Sequence, residues 1–228
     1  MAHSRPHNPL IIALVVLTFT TGLIDSVSYI GLGRVFVANM TGNVALLGFA
    51  AAGVPGLSVT RSLLSLVAFL LGAAVGGRLE TFLAAQNKRK WLLTAGLVET
   101  GLIVCVALGS VGFDMSDGTP VNRLYVMILL AALAMGLRNA TVRSLRVPDL
   151  STTVVTLTLT GLAADSSLGG GNSPRLVRRV ASVVVLFAGA ATGAFLLRYG
   201  LALPLFITAA CVLVTSTAYA AIVRRNQK

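Results

Sequence analysis

The chain has 228 residues, of which 56% are hydrophobic and 11% charged, with a mean hydropathy of +0.88. Too few charges remain to coat a soluble globule, so composition places it among integral membrane proteins with a lipid bilayer as their surroundings. The 18 Lys and Arg against 7 Asp and Glu, a net charge of +11, read as basic flanks of membrane spans; scattered over short loops without a reading motif, they argue against a nucleic-acid partner.

In chain order, Arg5 precedes an apolar run over residues 10–32 whose start, Asn8-Pro9, suits a helix cap followed by proline in the first turn. The run imitates a signal peptide, but Asp25 precedes any convincing cleavage site and the Gly22 motif recurs later, so it reads as mature structure. Further apolar stretches cover 62–77, 91–112, 124–137, 180–197 and 201–223. Two more, 35–53 and 150–164, are richer in polar residues. Cys105 and Cys211 lie in the last span of each half and read as packing residues. Both histidines, His3 and His7, lie in the N-terminal tail, so neither cysteine has a nearby His for metal or thiol chemistry.

The chain repeats itself. Gly22-Leu-Ile-Asp25 returns as Gly136-Leu-Arg-Asn139, and Gly72-Ala-Ala-Val-Gly76 as Gly189-Ala-Ala-Thr-Gly193. Between them, Val37-Ala-Asn-Met-Thr41-Gly-Asn43 aligns with Thr152-Thr-Val-Val-Thr156-Leu-Thr158, the offset running from 114 through 115 to 117. Residues 1–228 therefore read as a single membrane domain of two repeats, about 10–112 and about 123–223.

Charge arbitrates the number of crossings. If all eight stretches cross from a cytoplasmic N-terminus, the basic residues divide evenly, nine on each side. If the two polar stretches instead enter and return, 14 lie inside and only Arg34, Arg61, Arg123 and Arg198 outside, the bias of the positive-inside rule. Length agrees for the second stretch: 15 residues between Asp149 and Asp165 make a helix of about 22 Å, against a hydrocarbon core of about 30 Å. The rival is that both are tilted or partly unwound crossings. Three crossings per half is odd, so the halves must be inverted about an axis in the membrane plane. The expected fold is all-α, with six transmembrane helices and two interrupted or re-entrant segments in two inverted repeats. Both termini would be cytoplasmic.

Asp25 is the strongest functional candidate, because a carboxylate within a span is costly unless paired, hydrated or protonated; the bland alternative bonds it to Ser26, Ser28 or backbone. Asn39, Thr41 and Asn43 surround Gly42 in an apolar segment and could satisfy a bent backbone or coordinate a polar solute. Thr156 and Thr158, with Thr152, Thr153 and Thr160, supply the matching hydroxyls, although such residues often bond their own helix at i−4. Arg138 and Asn139 align with Ile24 and Asp25. Arg138 snorkels to the cytoplasmic surface, binds an anion or pairs with an acid of the other half. Glu99 also falls inside a span. The Gly72/Gly76 and Gly189/Gly193 pairs read as helix-packing sites, between halves or between protomers of a homo-oligomer.

With these motifs the chain resembles the YoaK family of bacterial small membrane proteins. The residues that carry the likeness are Gly22-Leu-Ile-Asp25-Ser-Val-Ser-Tyr29, Val35-Phe-Val-Ala-Asn-Met-Thr-Gly-Asn43, Gly136-Leu-Arg-Asn139-Ala and Thr152-Thr-Val-Val-Thr156. The chain carries Arg138 and Leu157 where the family pattern often has Gln and Gly. The resemblance implies a six-span inner-membrane protein and supplies no substrate. The residues themselves point to a transporter or channel for a small solute or ion, at a site between the repeats. A non-transporting scaffold is the alternative. No nucleophile–base pair, cofactor motif or metal-ligand spacing is present, so no enzyme, cofactor or metal is expected.

Overall fold

The computed structural model describes residues 9–84, 87–115, 120–145, 155–172 and 176–225. Thr152 and Thr153, both histidines, and Arg146 and Arg175 lie outside the described residues. Among the described residues eight α-helices follow one another: α1 (Pro9–Ser26), α2 (Met40–Ala51), α3 (Val59–Leu83), α4 (Lys88–Gly109), α5 (Val121–Ser144), α6 (Val155–Ala164), α7 (Leu176–Leu196) and α8 (Ala202–Arg225). A π-helical turn, Val27–Gly31, prolongs α1.

Six of these helices are long and apolar enough to cross a membrane: α1 with its π-turn, α3, α4, α5, α7 and α8. The other two fall on the polar stretches. With 12 and 10 residues, α2 and α6 are about 18 and 15 Å long, roughly half the hydrocarbon thickness. Over the described residues neither is long enough to cross as a helix alone.

Small residues decide how the long helices meet. The most extensive contacts join α3 to α5 and α1 to α7, so each half lays its glycine-rich helix on the first helix of the other. A Cβ on Gly72 would stand 2.2 Å from the Leu133 carbonyl oxygen, and one on Gly189 would stand 2.1 Å from that of Phe19. The partners match as well: Gly22 faces Leu186 and Ala190, while Gly136 faces Phe69 and Ala73; Gly76 faces Leu137 and Ala140, while Gly193 faces Leu23 and Ser26. Every one of these contacts maps onto its counterpart under the offsets that relate the two repeats. Backbones approach this closely only where no side chain intervenes, so these glycines bind one half to the other within the chain.

Between the paired helices, α4 packs on α8, α4 on α5 and α1 on α8. The main core gathers Ile24, Ile103, Ile128, Met135, Leu205 and Ala209 together with Leu32, Val35, Val37 and Ala38 from the irregular segment after the π-turn. Cys105 and Cys211 are free thiols, Cys105 on the outer face of the bundle.

Replacing Gly72 by Ala is expected to lower stability by about 1–3 kcal/mol, through overpacking against the α5 backbone. Gly77→Ala on the same helix, where nothing lies within 4 Å, should cost nothing. Thermal unfolding of the two variants in detergent makes the comparison.

Candidate functional site

The segment that leads into α2 runs through the protein interior without helical hydrogen bonds, so its polar groups need other partners. Its residues Leu32, Val35, Val37 and Ala38 are at most 1% exposed. The Leu32 and Arg34 amides bond back to Ser28 and Tyr29 at 3.2 and 3.1 Å, and the Tyr29 and Phe36 rings stack with centroids 5.0 Å apart. Asn43 does the rest. Its Oδ1 accepts from the Phe36 amide at 3.3 Å, its Nδ2 donates to the Ser62 carbonyl on α3 at 3.0 Å, and Ser65 donates to the Phe36 carbonyl at 2.7 Å. Asn39 then caps α2, accepting from the Gly42 amide at 3.1 Å. That cap fixes the start of α2, where Asn39 and Thr41 stay exposed and Asn43 is buried.

Beside it lies a cavity of about 350 Å³, lined by Thr21 and Asp25 of α1, by Asn39, Thr41 and Gly42 at the start of α2, and by Val155 and Thr156 at the start of α6. The two short helices thus present their first turns to one space. Positions related by the repeat behave alike there. Thr41 and Thr156 both line the cavity, while Asn43 and Thr158, one helical step on, are both buried in the protein.

Asp25 lines this space and buries an unbalanced acceptor beside it. Its Oδ1 is buried and has no hydrogen-bond partner among the described residues. Ser26 and Ser28, the neighbours that might have satisfied it, are otherwise engaged: Ser26 donates to the Ala190 carbonyl of α7 at 2.6 Å, and Ser28 to the main-chain carbonyl of Asp25 at 3.2 Å. A buried carboxyl oxygen without a donor is costly unless a proton, a cation or water meets it.

The structure brings together Asp25, Asn39, Thr41 and Thr156 and sets the other expected ligands apart. Asn43 is fully buried and spends both ends of its amide on backbone. Thr158 is turned into the protein beside the cavity. Asn139 donates to the Met135 carbonyl of its own helix at 2.8 Å. Arg138 corrects the expectation of snorkelling most clearly: at 1% exposure it points across the bundle, its Nε donating to Glu99 Oε1 at 2.6 Å. Its Nη1 donates to the Thr20 and Thr21 hydroxyls at 3.0 and 3.3 Å. An arginine in mid-helix prefers a buried acid to the surface where the acid, two hydroxyls and the Leu17 carbonyl surround it ready-made. The hydroxyl pair Thr20-Thr21 and the serines Ser62 and Ser65 were not expected as site residues; their only sequence signal is hydroxyls recurring on one side of an apolar span. Among the described residues, no three His, Cys, Asp or Glu side chains gather as a metal site would need.

Residues 13–218 match the family model described as "Protein of unknown function (DUF1275)". The UPF0700 transmembrane protein YoaK of Bacillus subtilis (strain 168) is 32% identical over 158 residues, which cover 68% of this chain and 66% of that protein. The match therefore spans just under two thirds of the relative's length. No solved structure matches the chain.

Asn43→Leu is expected to destabilise the protein by about 1–3 kcal/mol, the cost of stranding the Phe36 amide in the interior. Loss of the cap in Asn39→Ala should cost about 1 kcal/mol, and Thr41→Ala, whose hydroxyl faces open space, a few tenths at most. Thermal midpoints in one detergent rank the three.

Proposed function

The chain belongs to the DUF1275 family of membrane proteins, for which no activity serves as a guide, and we propose from the site itself that it is a transporter or channel for a small polar solute or ion. The observation that carries the reading is one cavity lined by Asp25, Asn39, Thr41 and Thr156, beside which Asp25 buries a carboxyl oxygen without a hydrogen-bond partner among the described residues. A scaffold gains nothing from an unmatched carboxyl at membrane depth, whereas a binding site for a cationic or hydrogen-bond-donating solute requires one. The cavity groups bind and orient; the reading assigns them no covalent chemistry and the protein no enzymatic role.

The architecture belongs to the same proposal. The two halves are inverted repeats, and α2 and α6 are the outgoing limbs of two re-entrant segments that approach from opposite faces. Three features support this: the exchanged pairing of α1 with α7 and α3 with α5, the matching glycine contacts, and two helices too short to cross. Transporters built from inverted repeats place their sites between the halves, where broken helices end near the midplane. Positive-inside bias puts both termini in the cytoplasm, and it survives the loss of Arg138 from the cytoplasmic count, since 13 basic residues remain there against four outside.

Uptake into liposomes holding the purified protein tests the function with a panel of inorganic cations, amines, amino acids and small neutral solutes. At least one member should enter faster than into protein-free liposomes, and Asp25→Asn should slow it tenfold or more while leaving the elution profile in detergent unchanged. Uptake of every member at the protein-free rate, or equal uptake by the variant, would remove the proposal.

A further inference from the structure

The Glu99–Arg138 pair lies outside the cavity, yet it stands between that cavity and a second opening. A narrow cleft of about 50 Å³ reaches Glu99 and Arg138 from the end of the bundle where α1 and α4 begin and α5 and α8 end. Its walls include Leu14, Leu17, Ser216 and Tyr219. Glu99 is 4% exposed and Arg138 1% exposed. On the other side, Thr21 both accepts from Arg138 Nη1 and lines the cavity that holds Asp25. A chain of polar groups therefore runs from the cleft through Glu99, Arg138 and Thr21 to the cavity that Asp25 lines.

One cation serves two acids along that path. Arg138 bonds Glu99 directly, and its charge also acts on Asp25. Of the other groups near this path, α8 contributes Tyr219 at the cleft wall, α3 contributes Glu80, which is held by the Ser144 hydroxyl at the far end of α5, and Lys88, Arg89 and Lys90 open α4. A buried ion pair generally stabilises a protein no better than well-packed apolar residues would, and ionisable groups in membrane spans mark ion and proton pathways.

We infer that Asp25, Arg138 and Glu99 form a charge-balanced triad that carries one proton between the cavity and the cleft, coupling solute movement to a proton. The triad is neutral when one carboxyl is ionised beside Arg138 and the other holds a proton. A proton arriving through the cleft forms the O–H bond of Glu99 and loosens its hold on Arg138. Asp25 then gives its own proton to water or solute in the cavity, and the resulting carboxylate takes over the charge of Arg138. The cycle resets when the Glu99 proton passes to Asp25 through water drawn in from the cavity, since the Thr20 and Thr21 hydroxyls donate to the Leu17 carbonyl. One proton has entered and one has left, with no net charge stored.

The test is proton flux into liposomes that hold the protein and an entrapped pH-sensitive dye, under an imposed pH gradient with the voltage clamped by valinomycin and K⁺. Flux should exceed that of protein-free liposomes, fall to their level in Glu99→Gln and Asp25→Asn, and return in part in Glu99→Asp. Since removing one member of a buried pair can unfold a protein, the double variant Glu99→Gln/Arg138→Gln, which deletes both charges, is measured alongside. It should elute as the wild type does and carry no protons. Wild-type flux at the protein-free level, or wild-type rates in Glu99→Gln or the double variant, would overturn the inference. It rests on the transport reading, but the two failures are distinguishable. Asp25-dependent solute uptake indifferent to the pH gradient and to Glu99→Gln ends the coupling and leaves transport standing; proton flux without solute uptake ends transport and coupling together and leaves only proton conduction by the triad.

Discussion

The arrangement of the site depends on the Asn43 side chain. An apolar environment forbids unpaired backbone groups, so a chain that leaves helical geometry inside the bundle must find a partner for each amide and carbonyl it exposes. Asn43 supplies a donor and an acceptor from one planar group, tying the incoming segment at Phe36 to α3 at Ser62. With that segment held, α2 starts at Met40 with Asn39 as its cap, and Thr41 and Gly42 have one place to go. The cavity is the consequence.

A second constraint brings the other wall. Close approach of α1 to α7 and of α3 to α5 requires glycine at Gly22, Gly72, Gly136 and Gly189, and those contacts lock the halves in an exchanged embrace. This brings Leu186 of α7 and the first turn of α6 against the face of α1 that carries Asp25. The positions that the sequence offsets align on the two sides differ in chemistry. Asp25 lines the cavity and buries an unmatched oxygen, whereas its counterpart Asn139 is satisfied by its own helix and the preceding residue, Arg138, turns toward Glu99. The acid lies in one half of the site only.

Much of this was legible in the sequence, for identifiable reasons. Apolar runs of spanning length announce the long helices, and charge bias, with length for 150–164, set the polar stretches at 35–53 and 150–164 apart from them. The glycine pairs were readable because recurrence at one offset separates a packing site from chance. Asp25, Thr41 and Thr156 could be grouped for the same reason. What escaped was the direction of side chains. Asn43 and Asn39 look alike in a string of polar residues, yet four positions apart on the entry to one helix they serve as clamp and cavity lining. Arg138 and Glu99 are 39 residues apart, and only the packing of α5 against α4 and α1 brings the guanidinium to the acid and the two threonines.

The central claim is that the first turns of α2 and α6 meet across a single aqueous space beside Asp25. Cysteines placed at Thr41 and Thr156, in a chain freed of Cys105 and Cys211, test it directly in native membranes with a short bifunctional thiosulfonate reagent. The account predicts that the two positions cross-link within one chain and that each alone reacts with a small membrane-impermeant thiol reagent. Cysteines that react singly with lipid-soluble maleimide but with neither of these reagents would contradict it, because α2 and α6 would then face lipid on separate sides of the bundle.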